Sequence, residues 1–253
     1  MLLENLTPEE FEHKIIEDWG EYFKSKSEDF ETKGTRFIKR DNYAENRVII
    51  AHVNQKTFVQ YSPDIHDNID EIAENCPRDI ALIADHFISY FENSRVQIEC
   101  LDDMFYLYPG NLQLFTPNDK FTIRALSEAD KDALDELNDS CTEEEVDNSF
   151  VGVDELGAWG CFYEDKLCAA AGFSDWGLYA DFGVISHPKF RRLGLAKAVV
   201  SAACQNAIEI GKIPIYRCHI TLFSSINTAS AVGFKKYPRA YYKMEVLQFQ
   251  NPR

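Results

Sequence analysis

The stretch that most constrains this chain runs from Asp181 to Ala196, Asp-Phe-Gly-Val-Ile-Ser-His-Pro-Lys-Phe-Arg-Arg-Leu-Gly-Leu-Ala. Its first six residues read as an apolar strand. His187-Pro188 then stops the ladder, because proline has no N–H to donate. Lys189, Arg191 and Arg192 follow in a turn, and Arg191-x-x-Gly194-x-Ala196 opens an apolar helix predicted over Leu193 to Ile210 and ended by Gly211. A strand, a tight turn and a helix in this order bring unpaired amides, the positive end of a helix dipole and several cations to one point. Such a point holds phosphate.

The charge distribution agrees. Residues 181–253 hold 11 Lys/Arg against 3 Asp/Glu, or +8, whereas 1–120 hold 12 against 24 and 121–180 hold 3 against 15, −12 each, for a net −16. Cations therefore concentrate where the turn begins. So acidic a chain is a poor partner for nucleic acid, whose binding is driven by phosphate neutralisation. A local basic end suits a polyanionic cofactor, and the acids serve either a cationic acceptor or solubility alone. No apolar run reaches the roughly 18 residues of a membrane span, and the acidic Met1-Leu-Leu-Glu start lacks the layout of a secretory signal. The expectation is a cytoplasmic protein with no membrane partner. The seven cysteines (76, 100, 141, 161, 168, 204 and 218) are odd in number and lack Cys-x-x-Cys spacing. They read as small buried hydrophobes in a reducing compartment, with neither disulfide scaffold nor metal site.

The turn residues Tyr108-Pro109-Gly110-Asn111 and Thr116-Pro117-Asn118-Asp119 put a boundary near residue 118. Before it, Thr7 caps a helix over Pro8 to Tyr22 with apolar residues at helical spacing. Arg47 to Val53 and Thr57 to Tyr61 read as a strand pair, Asp79 to Phe91 as a helix, and Val96 to Leu101 and Met104 to Tyr108 as two strands. His52, His66 and His86 are scattered, and read as packing or surface residues. After the boundary, Phe121 to Leu126 is a strand and Ser127 with Asp130 caps a helix to Leu137. Thr142 opens a second helix, and Ala158 to Tyr163 and Leu167 to Phe173 form a hairpin. Tyr179 to Ser186 precedes the phosphate turn. Ile213 to Ile220 is a strand, Ser224 to Val232 a short helix closed by Gly233-Phe234, and Tyr241 to Leu247 the last strand.

This order, with Arg191-x-x-Gly194-x-Ala196 after a strand and Gly233-Phe234 downstream, resembles the GNAT (GCN5-related) N-acetyltransferases over about 121 to 246. Within them it is similar to the two-domain GNAT subgroup, with Ser186-His187-Pro188 before the motif and Gly194-Leu195-Ala196 inside it. The resemblance implies an α/β fold class with an α+β mixed sheet. Residues 119–253 would form a GNAT acyl-CoA N-acyltransferase domain. Residues 1–118 would form a smaller mixed α/β domain, either a degenerate copy of the fold or a module that shapes the acceptor site. It implies acetyl-CoA as co-substrate, the primary amine of a small molecule or peptide as acceptor, and direct attack in a ternary complex, by a monomer or homodimer.

The resemblance also assigns residues. Val184, Ile185 and Ser186 present backbone groups to the pantetheine arm. Arg191, Arg192, Leu193, Gly194, Leu195 and Ala196 wrap the pyrophosphate, mainly through N–H groups, with Lys189 and Lys197 adding charge and Ser225 approaching the cofactor. Leu222 stands where the family carries Asn, and Ala229 where it often carries a tyrosine general acid. A thiol of ordinary pKa, about 8.5, can leave without that tyrosine. Asp181 has two readings: a general base whose pKa desolvation raises, or a half-exposed or salt-bridged aspartate. Ser174, Asp175, Trp176 and Tyr179, expected in the connection between two strands, are candidates for acceptor contact. His219 either relays a proton or makes a structural hydrogen bond. The alternative function is a non-catalytic acyl-CoA-binding or sensing module, which Leu222 and Ala229 favour.

Overall fold

In a computed structural model, which describes residues 6–42, 46–53, 55–76, 94–153, 157–236 and 240–249, the chain divides into two units. One comprises Thr7–Met104, Cys218–Thr221 and the segment from Lys236 onward; the other comprises Phe105–Arg217 and Leu222–Lys235. The helix expected at Asp79 to Phe91 lies outside the described residues, as does His86.

The first unit begins with helix α1, Pro8–Phe23. Thr7 and Glu10 form a reciprocal capping box, so two amides that the helix leaves unpaired find acceptors. Strands β1 (Gly34–Lys39), β2 (Arg47–Val53) and β3 (Lys56–Tyr61), helix α2 (His66–Asn75) and strand β4 (Ser94–Tyr106) follow. Strand β1, which the sequence did not reveal, pairs parallel to β3, and β2 and β3 form the expected pair, which is antiparallel. Phe23 stacks on Phe58 at 4.4 Å with Phe30 beside it, and Val48, Ile50, Val59, Ile65, Ile69 and Ile72 form a second cluster. Burying each such side chain contributes roughly 1.5–3 kcal/mol. β4 is one strand where two were expected. The Asp102-Asp103 pair reads as a break, but Asp103 is buried and its carboxylate meets the Lys236 ammonium at 2.5 Å, so the strand runs through.

The second unit holds β5 (Phe121–Ala125), α3 (Lys131–Asp139), α4 (Glu143–Ser149), β6 (Trp159–Tyr163), β7 (Lys166–Trp176), β8 (Tyr179–Ser186), α5 (Leu195–Glu209), β9 (Ile213–His219) and α6 (Phe223–Val232). Its strands run in the order β9-β8-β7-β6-β5. All neighbours are antiparallel except β8 and β9, which are parallel. On one face, Leu134 and Leu137 of α3 pack with Phe162, Leu167, Ala170 and Ile185. On the other, Phe173 and Phe182 pack together and Phe234 lies against Phe182. α5 lies on that second face. It is built from small buried residues (Ala198, Ser201, Ala203, Cys204, Ala207), and Ser201 Oγ accepts the Phe115 amide at 3.1 Å while donating to the Ala198 carbonyl. The last strand of the chain, β10 (Ala240–Phe249), was expected to complete the acetyltransferase half. It pairs instead with β2 and β4 of the first unit, antiparallel to both.

Candidate active site

The site is assembled where β8 and β9 part. Their pairing runs from Tyr179↔Ile213 to Phe182↔Tyr216 and goes no further, although β8 continues to Ser186 and β9 to His219. Val184, Ile185 and Ser186 keep their partners in β7 on one side (Ala171, Ala170 and Ala169), and their other edge has no pairing with β9.

After β8 the chain turns. His187 is buried and its Nδ1 accepts the Lys189 amide at 3.2 Å. Burial and the cations of Lys166, Lys189 and Arg191 hold its pKa below the ordinary value, which keeps it a neutral acceptor. Arg192 and Gly194 both adopt left-handed backbone, at φ +66° and +81°. The first helical bond of α5 runs from the Ala198 amide to the Gly194 carbonyl at 3.2 Å. Among the described residues, the amides of Arg192 to Lys197 find no acceptor. Two left-handed residues at a helix start turn successive N–H groups toward one concavity, the geometry that binds anions. The helix starts at Leu195, two residues later than expected, because Gly194 is its N-cap. Gly194 is required for its dihedral: a Cβ there would meet no protein atom within 4 Å. Leu193 is exposed, Leu195 is buried in the core, and Ala196 and Lys197 are half-buried, with the Lys197 ammonium 5.6 Å from the Phe115 ring centroid. Ser225 is half-buried in the first turn of α6. Ala229 is wholly buried and faces the core.

Strand alternation gathers the remaining candidates on one face. Ser174 pairs with Asp181 and Trp176 with Tyr179, so all four side chains share the face that carries Gly183 and Ile185. β7 extends three residues beyond the expected Phe173, which places Ser174, Asp175 and Trp176 on a strand rather than in a connection. Asp175 meets Lys212 at 2.7 Å and accepts the Gly177 amide, and these contacts hold its pKa down. Trp176 is exposed, and the ring of Tyr179 stands edge-on to Tyr106 at 5.8 Å.

Asp181 does not stand alone in an apolar strand. Arg217 donates to its Oδ2 from Nε at 3.0 Å and from Nη2 at 2.6 Å, and the guanidinium lies 4.8 Å from the Trp176 ring centroid. Arg217 lies two residues beyond Ile215, the parallel partner of Asp181, so both side chains emerge on the same face. The environment is thus the salt-bridged one of the two expected. No bond to Oδ1 occurs among the described residues. Arg217 belongs to no motif and was missed in sequence; only the β8–β9 register reveals it. His219 makes the structural bond, with Nδ1 2.8 Å from the Thr221 hydroxyl. His52 likewise bonds Thr57 at 2.8 Å.

Arg191 is also committed. Its Nε donates to the Ser186 carbonyl at 3.2 Å and its Nη2 meets Glu145 of α4 at 2.8 Å. The other end of α4 presses on β8: a Cβ on Gly183 would lie 1.5 Å from the Ser149 carbonyl oxygen. Among the described residues, no group of three His, Cys, Asp or Glu side chains is placed to hold a metal.

Residues 123–234 match the model of the acetyltransferase (GNAT) family. That stretch spans β5 to the end of α6, so the chain carries a GNAT acetyltransferase domain. An acetyltransferase of the GNAT family from Colwellia psychrerythraea is similar in structure at 15% identity, covering 76% of each chain with a TM-score of 0.49. A GCN5-related N-acetyltransferase from Sphaerobacter thermophilus aligns at 9% identity over 66% of this chain and 58% of its own, with a TM-score of 0.51, and shares the fold. One from Kribbella flavida aligns at 14% identity over 66% of this chain and 64% of its own, with a TM-score of 0.47. No curated protein matches the chain. No helix among the described residues is long and apolar enough to cross a membrane.

Proposed function

We propose that the second unit transfers an acetyl group from acetyl-CoA to the primary amine of a small molecule or peptide in the cytoplasm, by direct attack within a ternary complex. The observation that carries this reading is the row of amides from Arg192 to Lys197, without acceptors and following two left-handed residues at a helix start. These amides would hold the diphosphate, with Lys189 and Lys197 adding charge. The open edge of Val184 to Ser186 would pair with the amides of the pantetheine arm. Positioning the two reactants contributes several kcal/mol to such a reaction without any covalent enzyme intermediate.

Asp181 is the base in this reading. Arg217 occupies Oδ2, which leaves Oδ1 to take the ammonium proton directly or through water. Ser174, Trp176 and Tyr179, on the same face, would contact the acceptor. In the test, release of free CoA from acetyl-CoA is followed with a panel of amines. Asp181→Asn is expected to lower kcat by a factor on the order of 10² or more while CoA affinity stays within a few-fold. An unchanged rate in the variant would remove Asp181 from the chemistry.

A second reading, an acyl-CoA sensor without turnover, is favoured by two observations: the Asp181 carboxylate is engaged by Arg217, and Ala229 is buried. Tight CoA binding with no turnover on any amine class would select it.

A further inference from the structure

We propose that Arg191, the first residue of the helix-opening motif, spends its guanidinium not on phosphate but on fixing α4 over the acceptor face, and is therefore a positioning residue. The inference deepens the acetyl-CoA reading for the neighbouring amides, although the clasp itself stands on separate contacts. Nε and Nη2, the same edge of the planar fork, are taken by the Ser186 carbonyl and the Glu145 carboxylate. Glu145 in turn accepts the Thr142 amide at 3.1 Å, as one half of the capping box that starts α4. The Cys141 thiol lies 3.6 Å from the same Ser186 carbonyl. The end of β8, the start of the motif and the first turn of α4 are thus one hydrogen-bonded network.

This network and the Ser149–Gly183 contact tie the two ends of α4 to β8, and between them Val146 packs against the cluster that holds Ile185. A helix of seven residues cannot hold its own place by internal bonds. Where its ends are tied decides where it lies. Asp181 and Gly183 are two residues apart on one face, so α4 and the left-handed, exposed Phe150 that follows it border the face that carries the candidate base. The charge of Arg191 is already compensated by Glu145, so its guanidinium adds little attraction for a diphosphate, which the amides are left to hold. Because the same turn supplies those amides, occupying it steadies Arg191, and with it α4. Cofactor binding thereby orders the acceptor face before the amine arrives.

Hydrogen exchange of the α4 amides in the full chain, with and without CoA, tests this, with CoA dissociation constants measured alongside. Arg191→Gln and Glu145→Gln are each expected to speed α4 exchange by about threefold to tenfold, and the double variant no further. The two single variants should shift the CoA dissociation constant by the same factor. Arg191→Lys should not restore protection, since one ammonium cannot make both bonds in this geometry. α4 exchange unmoved by either variant would overturn the clasp. So would a loss of CoA affinity at least tenfold greater for Arg191→Gln than for Glu145→Gln, which would make the guanidinium a phosphate ligand. If the wild type binds no CoA, the cofactor reading fails by itself and the exchange measurements still decide the clasp.

Discussion

Arg192 sits at φ +66°, a region where a side chain costs about 1–2 kcal/mol. Glycine there would relieve that strain and return roughly 0.5–1 kcal/mol through its freer unfolded chain. Arg192→Gly is therefore expected to raise stability by up to about 1 kcal/mol in urea denaturation; a clear loss would mean the arginine side chain supports the fold. Gly194→Ala is expected to act in the opposite direction, costing on the order of 1 kcal/mol from its dihedral alone. No protein atom waits for that Cβ, so the strain in the variant comes from the dihedral and not from repacking. Residue identity was legible in sequence where a motif fixed it, as at Gly194. It was not legible for Arg217, which reaches Asp181 only through parallel pairing of strands separated by a whole helix. Nor was the use of the Arg191 side chain, because Glu145 reads in sequence merely as an acid in a helix's first turn.

Among the elements, α4 is the one whose placement matters most to the site. Gly183→Ala would force a Cβ onto the Ser149 carbonyl, which is backbone and cannot rotate aside. The expected cost is about 2–3 kcal/mol of stability, accompanied by faster exchange across α4. A variant as stable as the wild type would show that α4 is free to shift. At the start of α3, Asp130 accepts from Arg124 at 2.8 and 2.5 Å and from the Ser127 amide at 2.9 Å. The guanidinium is the larger cause, and it holds the Asp130 carboxyl well below the ordinary 3.8. A depressed folded pKa contributes stability above the unfolded value and loses it as pH falls below about 3.8 toward the folded value. The acid limb of a pH–stability curve should therefore flatten in Asp130→Asn; an unchanged limb would assign acid unfolding to other carboxylates. The cap at Ser127 and the helix start at Thr142 were readable because helix starts are local chemistry. The single strand β4 was not, because the lysine that lets Asp103 be buried lies more than a hundred residues away.

For the whole molecule, the strands and helices of the second unit followed from periodicity and its mixed sheet from the family resemblance that one motif carried, while the distribution of strands between units did not. β10 reads like any closing strand, and nothing local says that its partners are β2 and β4. The proposed acetyl transfer depends on the amides of Arg192 to Lys197 holding a diphosphate. Calorimetric titration of the full chain with CoA, repeated on Gly194→Val, measures this most directly. One CoA bound per chain, with affinity lost in a variant that stays folded, is the predicted result. No heat and no thermal shift in the wild type, or undiminished binding in the variant, would contradict it.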